Sequence, residues 1–268
     1  MRHVMPKGLY IWFARSGVSA ASVSARPAKF AAALLAVTAI MLSIRAAHAQ
    51  PADPYSVWLP LVASAQAAQP IHQGIATYYD ATGAGACSFD PAPGDLMVTA
   101  INADEYDNAA LCGAYLSVTG PKGAITVRVV DLCPECRTGH LDLSQEAFAR
   151  IADPIEGRVD ITWQIVSPVL NSPIVYHFKE GSNPWWTAVH VRNHRNPIAR
   201  FEYRVADGDW VDVPRTDYNY FVQTNPGMGP GPYTFRVTDI YGNVLSDSAI
   251  PHVENGSISG AAQFPPGP

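Results

Sequence analysis

The stretch DLCPECRTGHLDLS, residues 131–144, gathers two cysteines, a histidine and two aspartates. Cys133, Cys136 and His140 have the spacing of three ligands of a zinc knuckle. A structural zinc site takes four ligands, and Cys87 and Cys112 lie too far apart in sequence to supply a matching pair, so no metal site is expected. A redox CxxC opens a helix within a βαβ unit, whereas this one follows the apolar run VRVVD and enters a loop. What remains is a Cys133–Cys136 disulfide closing a tight loop between Asp131 and Asp142. Asp131 ends a strand, where a carboxylate either accepts backbone N–H bonds in a turn or faces a cleft. Asp142 stands between Leu141 and Leu143, so the alternation that sends both leucines inward sends its carboxylate to the other face. It is then either a groove carboxylate or an acid at the start of the helix that follows Ser144. The residues alone leave both readings open.

The elements that must position these groups read as mostly β. GIATYYD (74–80), MVTAIN (97–102), AYLSVTG (114–120), AITVRVVD (124–131) and VDITWQIV (159–166) alternate or are β-branched, between Gly, Pro and Asp turns. One helix is predicted, with Ser144 as N-cap and QEAFARIA after it. That pattern suits a small closed barrel over 70–167. SPVLNSP carries prolines toward both ends and reads as a stiff linker, placed at 168–173. Strands return over 174–254 at the spacing of a β-sandwich. Trp163 and Trp210, set among apolar strand residues, are expected in the cores. Residues 255–268 are polar and rich in Gly and Pro, and read as a C-terminal tail.

The N-terminal part reads as a secretory leader. Basic residues stand at 2, 7, 15, 26, 29 and 45, an apolar run spans 31–44, and Ala47-His48-Ala49 offers a small-x-small cleavage pattern. Residues 1–49 are therefore read as a signal peptide and 50–69 as a tether, with secretion as the expected destination and no membrane association after cleavage. Beyond the leader, 12 basic residues face 23 acidic ones, a net charge of −11. Such a chain is not drawn to nucleic acid or to anionic surfaces by general attraction, and a neutral glycan suits it better. Four cysteines in a secreted chain point to disulfides, and of the three pairings 87–112 with 133–136 is favoured.

Three stretches resemble microbial expansins: GIATYYDATGAGAC, LCGAYLSVTGPKGAITVRVVDLCPECRTGHLDLSQEAF and NPWWTAVHVRNHRNPIARFEYRVADGDWVDVPRTDYNYFVQTN. The resemblance runs through both modules, from about 70 to 252. It implies a mainly β fold, a six-stranded double-psi β-barrel followed by an immunoglobulin-like β-sandwich that binds cellulose. The family loosens plant cell walls without detectable hydrolysis. Matching motif by motif, Thr77 of Ala76-Thr77-Tyr78 falls in the groove, with Asp131 and Asp142 as its functional carboxylates. Tyr78 and Glu135 join the polysaccharide-contacting set. Cys133 stands where the family often has a groove tyrosine, so the expected bridge to Cys136 replaces an aromatic. The family's paired cysteines match Cys87 and Cys112. In the second module Trp185, Trp186 and Tyr218 match the aromatic cellulose-binding motif, and Lys179 a flanking lysine. Flat aromatics with an apolar body and a polar tip suit sugar stacking at a wet surface. Adjacent strand residues point to opposite faces, so Trp185 and Trp186 share a surface only from a loop or bulge, and Pro184 makes one plausible.

The barrel also resembles family 45 glycoside hydrolases, in which an acid and a base stand roughly 6.5–9.5 Å apart. Asp142 matches the acid, and Asp80 falls near the base; the bland alternative for Asp80 is a turn aspartate opening the ATGAGA loop. The expectation is a nonhydrolytic, monomeric protein without a cofactor, whose partners are cellulose and related β-glucans of the plant wall, with xyloglucan and peptidoglycan as further candidates. Weak endoglucanase activity and lytic-transglycosylase-like action on peptidoglycan are the alternatives.

Overall fold

Residues 69–268 are described by a computed structural model. The leader expected at 1–49 and nearly all of the tether expected at 50–69 lie outside them. Six strands close the first barrel: β1 (His72–Tyr79), β2 (Val98–Asn102), β3 (Tyr115–Gly120), β4 (Gly123–Cys133), β5 (Leu141–Ser144) and β6 (Val159–Val166). Their order around it is β1-β5-β2-β4-β3-β6. Two neighbouring pairs, β1 with β5 and β2 with β4, run parallel, and the rest are antiparallel. Inward-facing Ala76, Leu116, Val118, Val127, Leu141, Leu143 and Trp163 fill the interior. The predicted helix is α2 (Gln145–Ile151); Ser144 caps it by accepting from the Ala147 N–H at 3.0 Å, and Ala147, Phe148 and Ile151 dock it on the barrel. A second helix, α1 (Ala103–Tyr106), is capped by Asn102. Its four residues are too few to show a helical period.

The second module packs two four-stranded sheets. One runs β10 (Val211–Asp212), β9 (Ile198–Val205), β12 (Tyr233–Asp239), β13 (Val244–Ile250); the other runs β11 (Phe221–Thr224), β8 (Trp186–Arg192), β7 (Val175–Phe178), β14 (Ser257–Ser259). Tyr176, Phe178, Val189 and Val191 from one sheet meet Phe201, Tyr233, Phe235 and Val237 from the other. Two expectations are corrected here. Residues 255–268 are no tail: β14 pairs with β7 and Phe264 is buried in the core, because a short alternating SIS and one aromatic suffice for docking. Trp210 is not a core residue. It is half-exposed, with the guanidinium carbons of Arg204 and Arg236 at 4.7 and 4.1 Å from its ring, on the face that β9 and β12 turn to solvent.

Hydrogen bonds tie the modules together. Arg215 donates to the Ala109 carbonyl at 2.7 Å, the Tyr106 hydroxyl to the Asp217 carbonyl at 2.5 Å, and Asn219 to the Cys87 carbonyl at 3.3 Å. His194 is buried against Gly113, where a Cβ would fall 2.6 Å from the ring nitrogen Nε2.

Candidate functional site

The parallel pairing of β1 and β5 sets Thr77 opposite Asp142. Thr77 Oγ1 donates to Asp142 Oδ1 at 2.5 Å, and His140 Nε2 lies 3.1 Å from the same hydroxyl. Burial raises the Asp142 carboxyl above its ordinary pKa, against the pull of the Thr77 bond and of His140. Burial likewise lowers His140, although Asp142 opposes it, so the imidazole is neutral at pH 7. The three residues line a cleft of about 380 Å³ together with Ile75, Glu135, Arg137, Arg158 and the Cys133–Cys136 disulfide.

The loop carrying His140 is pinned by the barrel and by α1. Gly139 (φ +81°) crosses Gly74 so closely that a Cβ on either would fall 2.2 or 2.0 Å from the other strand's carbonyl oxygen, so only glycine is accommodated at the crossing. Glu105 of α1 accepts from the Gly139 N–H at 3.1 Å and bonds His72 Nδ1 at 2.6 Å. The His72 ring stacks on Trp163 at 3.9 Å, and the Trp163 indole donates to the Gly139 carbonyl at 3.0 Å.

The other expected groove residues take different places. Asp131 does not line this cleft. Its Oδ1 accepts from Ala86 N at 2.7 Å and Leu132 N at 2.8 Å, so it braces the glycine-rich loop, and a Cβ on Gly85 would strike its carboxyl. Tyr78 points to the opposite side of β1 from Thr77, packs on Phe148 at 4.8 Å and donates to the Pro154 carbonyl at 3.3 Å. Alternation is the cause, and it brings Tyr79 to the groove side instead. Tyr79 packs on Ala100 and the Cys133–Cys136 bridge, and burial with the fields of Asp131 and Asp142 raises its phenol pKa. Sequence reasoning passed over Tyr79, although it stands two residues after Thr77. It also weighed His140 only as a metal ligand. Asp80 is exposed one residue past the end of β1 and is not among the cleft-lining residues; Glu135 is. The Cys87–Cys112 bridge closes a second loop beside the Asp131 brace.

A second candidate surface lies on the sandwich. The Asn183 side chain accepts from the N–H groups of Trp185 and Trp186 at 3.0 and 3.1 Å, a tight turn that frees Trp185 from the strand. Trp185 is 75% exposed. Trp186 opens β8 on the face opposite core residues Val189 and Val191, and Tyr220 lies on that same face through the pairing of Val222 with Ala188, buried beneath it. Lys179 Nζ lies 5.5 Å from the Tyr220 ring centre, and half-exposed Tyr218 lies 5.9 Å from it. Ser88 of the barrel donates to the Tyr218 carbonyl at 2.8 Å, joining this surface to the barrel loops.

A family model described as "Lytic transglycolase" matches residues 71–163. The chain is 42% identical over 208 residues to Expansin-YoaJ of Bacillus subtilis (strain 168), which covers 73% of this chain and 87% of that protein. It is 27% identical over 218 residues to Expansin-like protein 1 of Dictyostelium discoideum, covering 72% of this chain and 74% of that one. The crystal structure of the apo expansin of Clavibacter michiganensis matches with a TM-score of 0.68 at 37% identity, over 74% of this chain and 99% of that chain. A point mutant of the same expansin in complex with cellohexaose gives the same TM-score at 36% identity, over the same shares of the two chains.

Proposed function

The chain belongs to the expansin family, and from that membership we propose that it is a secreted protein that binds cellulose and related β-glucans and loosens plant cell wall without hydrolysing it. Secretion is supported by the leader pattern at 1–49 and by two disulfides, which persist in oxidising compartments. Glucan binding is supported by the solved relative in complex with cellohexaose and by the exposed aromatic surface. The sandwich anchors the protein through Trp185, Trp186 and Tyr218. The barrel cleft then offers Asp142, held by Thr77, as an acceptor for sugar hydroxyls, in competition with the hydrogen bonds between neighbouring glucan chains.

One observation carries the nonhydrolytic reading: Asp142 is held by the Thr77 hydroxyl, which His140 also contacts, and Asp80, the candidate base, does not line the cleft, where Glu135 is the other carboxylate. Inverting hydrolysis needs a water held between acid and base. The test pairs two assays. Wild type is expected to extend wall strips under load while releasing no reducing sugar from amorphous glucan, and Asp142→Asn to abolish extension. Sugar release that vanishes in Asp80→Asn or Glu135→Gln overturns the reading. A second reading, single-carboxylate cleavage of peptidoglycan with Asp142 as acid, is favoured by the family model over 71–163 and by the raised Asp142 pKa. Clearing of a peptidoglycan suspension by wild type but not by Asp142→Asn would establish it.

A further inference from the structure

Thr77 has a single hydroxyl proton, and Asp142 Oδ1 receives it. The contact between Thr77 Oγ1 and His140 therefore runs from an Nε2–H donor. When neutral, the ring then carries its lone pair on Nδ1, the nitrogen that Thr77 leaves free, and the residue lines the cleft. Asp142 likewise keeps Oδ2 beyond its bond to Thr77.

We propose that His140 is a specificity-determining residue of the groove: its Nε2–H fixes Thr77 on Asp142, and its Nδ1 joins Asp142 Oδ2 as a second acceptor for neighbouring hydroxyls of one neutral sugar ring. The ligand class follows from two acceptors on residues lining one cleft: a vicinal diol of a neutral sugar supplies the two hydroxyls they take. The inference rests on the reading of the cleft as a glucan site. Protonation of His140 turns Nδ1 into a donor and breaks the acceptor pair. The charged groups around the ring oppose one another. Asp142 from β5 and Glu135 from the disulfide loop favour the imidazolium, and Arg158 ahead of β6 disfavours it. Arg137 also lines the cleft, and β1 presents Thr77 and the uncharged Tyr79 on this side. Burial outweighs these charges and keeps the ring neutral at pH 7.

The experiment measures extension of heat-inactivated wall strips by the full chain near pH 7.5, where burial keeps His140 neutral. His140→Phe removes both bonds and is expected to slow extension about tenfold near pH 7.5. His140→Gln keeps an amide N–H for Thr77 and an amide oxygen for the sugar, but does not titrate. It is expected to stay within about twofold of wild type. Thermal unfolding of each variant separates lost function from lost fold. A folded His140→Phe with the wild-type rate, or a folded His140→Gln that is as slow as His140→Phe, overturns the proposal. If Asp142→Asn remains inactive in that case, the groove reading survives; an Asp142→Asn with full activity sinks the groove reading itself.

Discussion

Trp185 offers the sharpest energetic test of the cellulose anchor. A tryptophan side chain carries roughly 150–250 Å² of surface, and Trp185 leaves 75% of itself in water. A sugar ring laid on one face covers about half of that, or about 90 Å². At about 25 cal/mol per Å², the contact contributes about 2 kcal/mol, which is roughly 30-fold in Kd. Because the side chain makes few internal contacts, Trp185→Ala is expected to leave the unfolding free energy within about 0.5 kcal/mol of wild type. Depletion isotherms on insoluble cellulose measure the affinity, and Trp210→Ala serves as control, since that ring is held by Arg204 and Arg236 on the other sheet. A Trp185→Ala protein that melts normally and binds within about threefold of wild type would refute the stacking contact, because so small a change corresponds to well under 1 kcal/mol.

Two further outcomes follow from the scaffold. Replacing Cys87 and Cys112 by serine opens a loop of 25 residues, for which chain entropy gives about 3.5 kcal/mol and a melting temperature lower by about 10 °C. Opening the Cys133–Cys136 loop, with a separation of only 3, costs about 2 kcal/mol by the same relation, and so should lower the melting temperature less; calorimetry that ranks the two pairs the other way contradicts this. His194 donates from Nδ1 to the Asn196 carbonyl at 2.8 Å, and burial holds its pKa down to about 4. The unfolded chain therefore takes up a proton first as pH falls below about 6.5, and stability is lost progressively toward pH 4, by about 3 kcal/mol from this ring alone. Denaturant titrations near pH 7.5 and 4.5 should show that loss and should show it reduced in His194→Gln; a flat profile in wild type contradicts the buried neutral ring.

Much of the scaffold was legible residue by residue. The alternation of VDITWQIV and AITVRVVD marked β6 and β4, Ser144 announced α2, and Leu141-Asp142-Leu143 placed the Asp142 carboxylate on the face away from the core. These are local signals, set by periods of 2.0 and 3.6 residues and by capping chemistry. The short α1 and the strand inside the presumed tail carried too few residues to show either period. Trp210 was misplaced because an apolar composition does not reveal that two arginines wait on the solvent face.

What chemistry the cleft can do was decided at longer range. Thr77 and His140 are separated by 63 positions and Asp131 from the loop it braces by 45, and nothing in the local pattern pairs them. Periodicity tells which way a side chain leaves its own strand. It does not tell which strand lies next to it, because that depends on how six strands close into one barrel. By itself, then, the sequence determined the longer strands, the helix cap and the outward turn of Asp142. Only the closed barrel, by setting β1 beside β5 and crossing Gly74 over Gly139, decided that Asp142 meets Thr77 and His140 rather than Asp80.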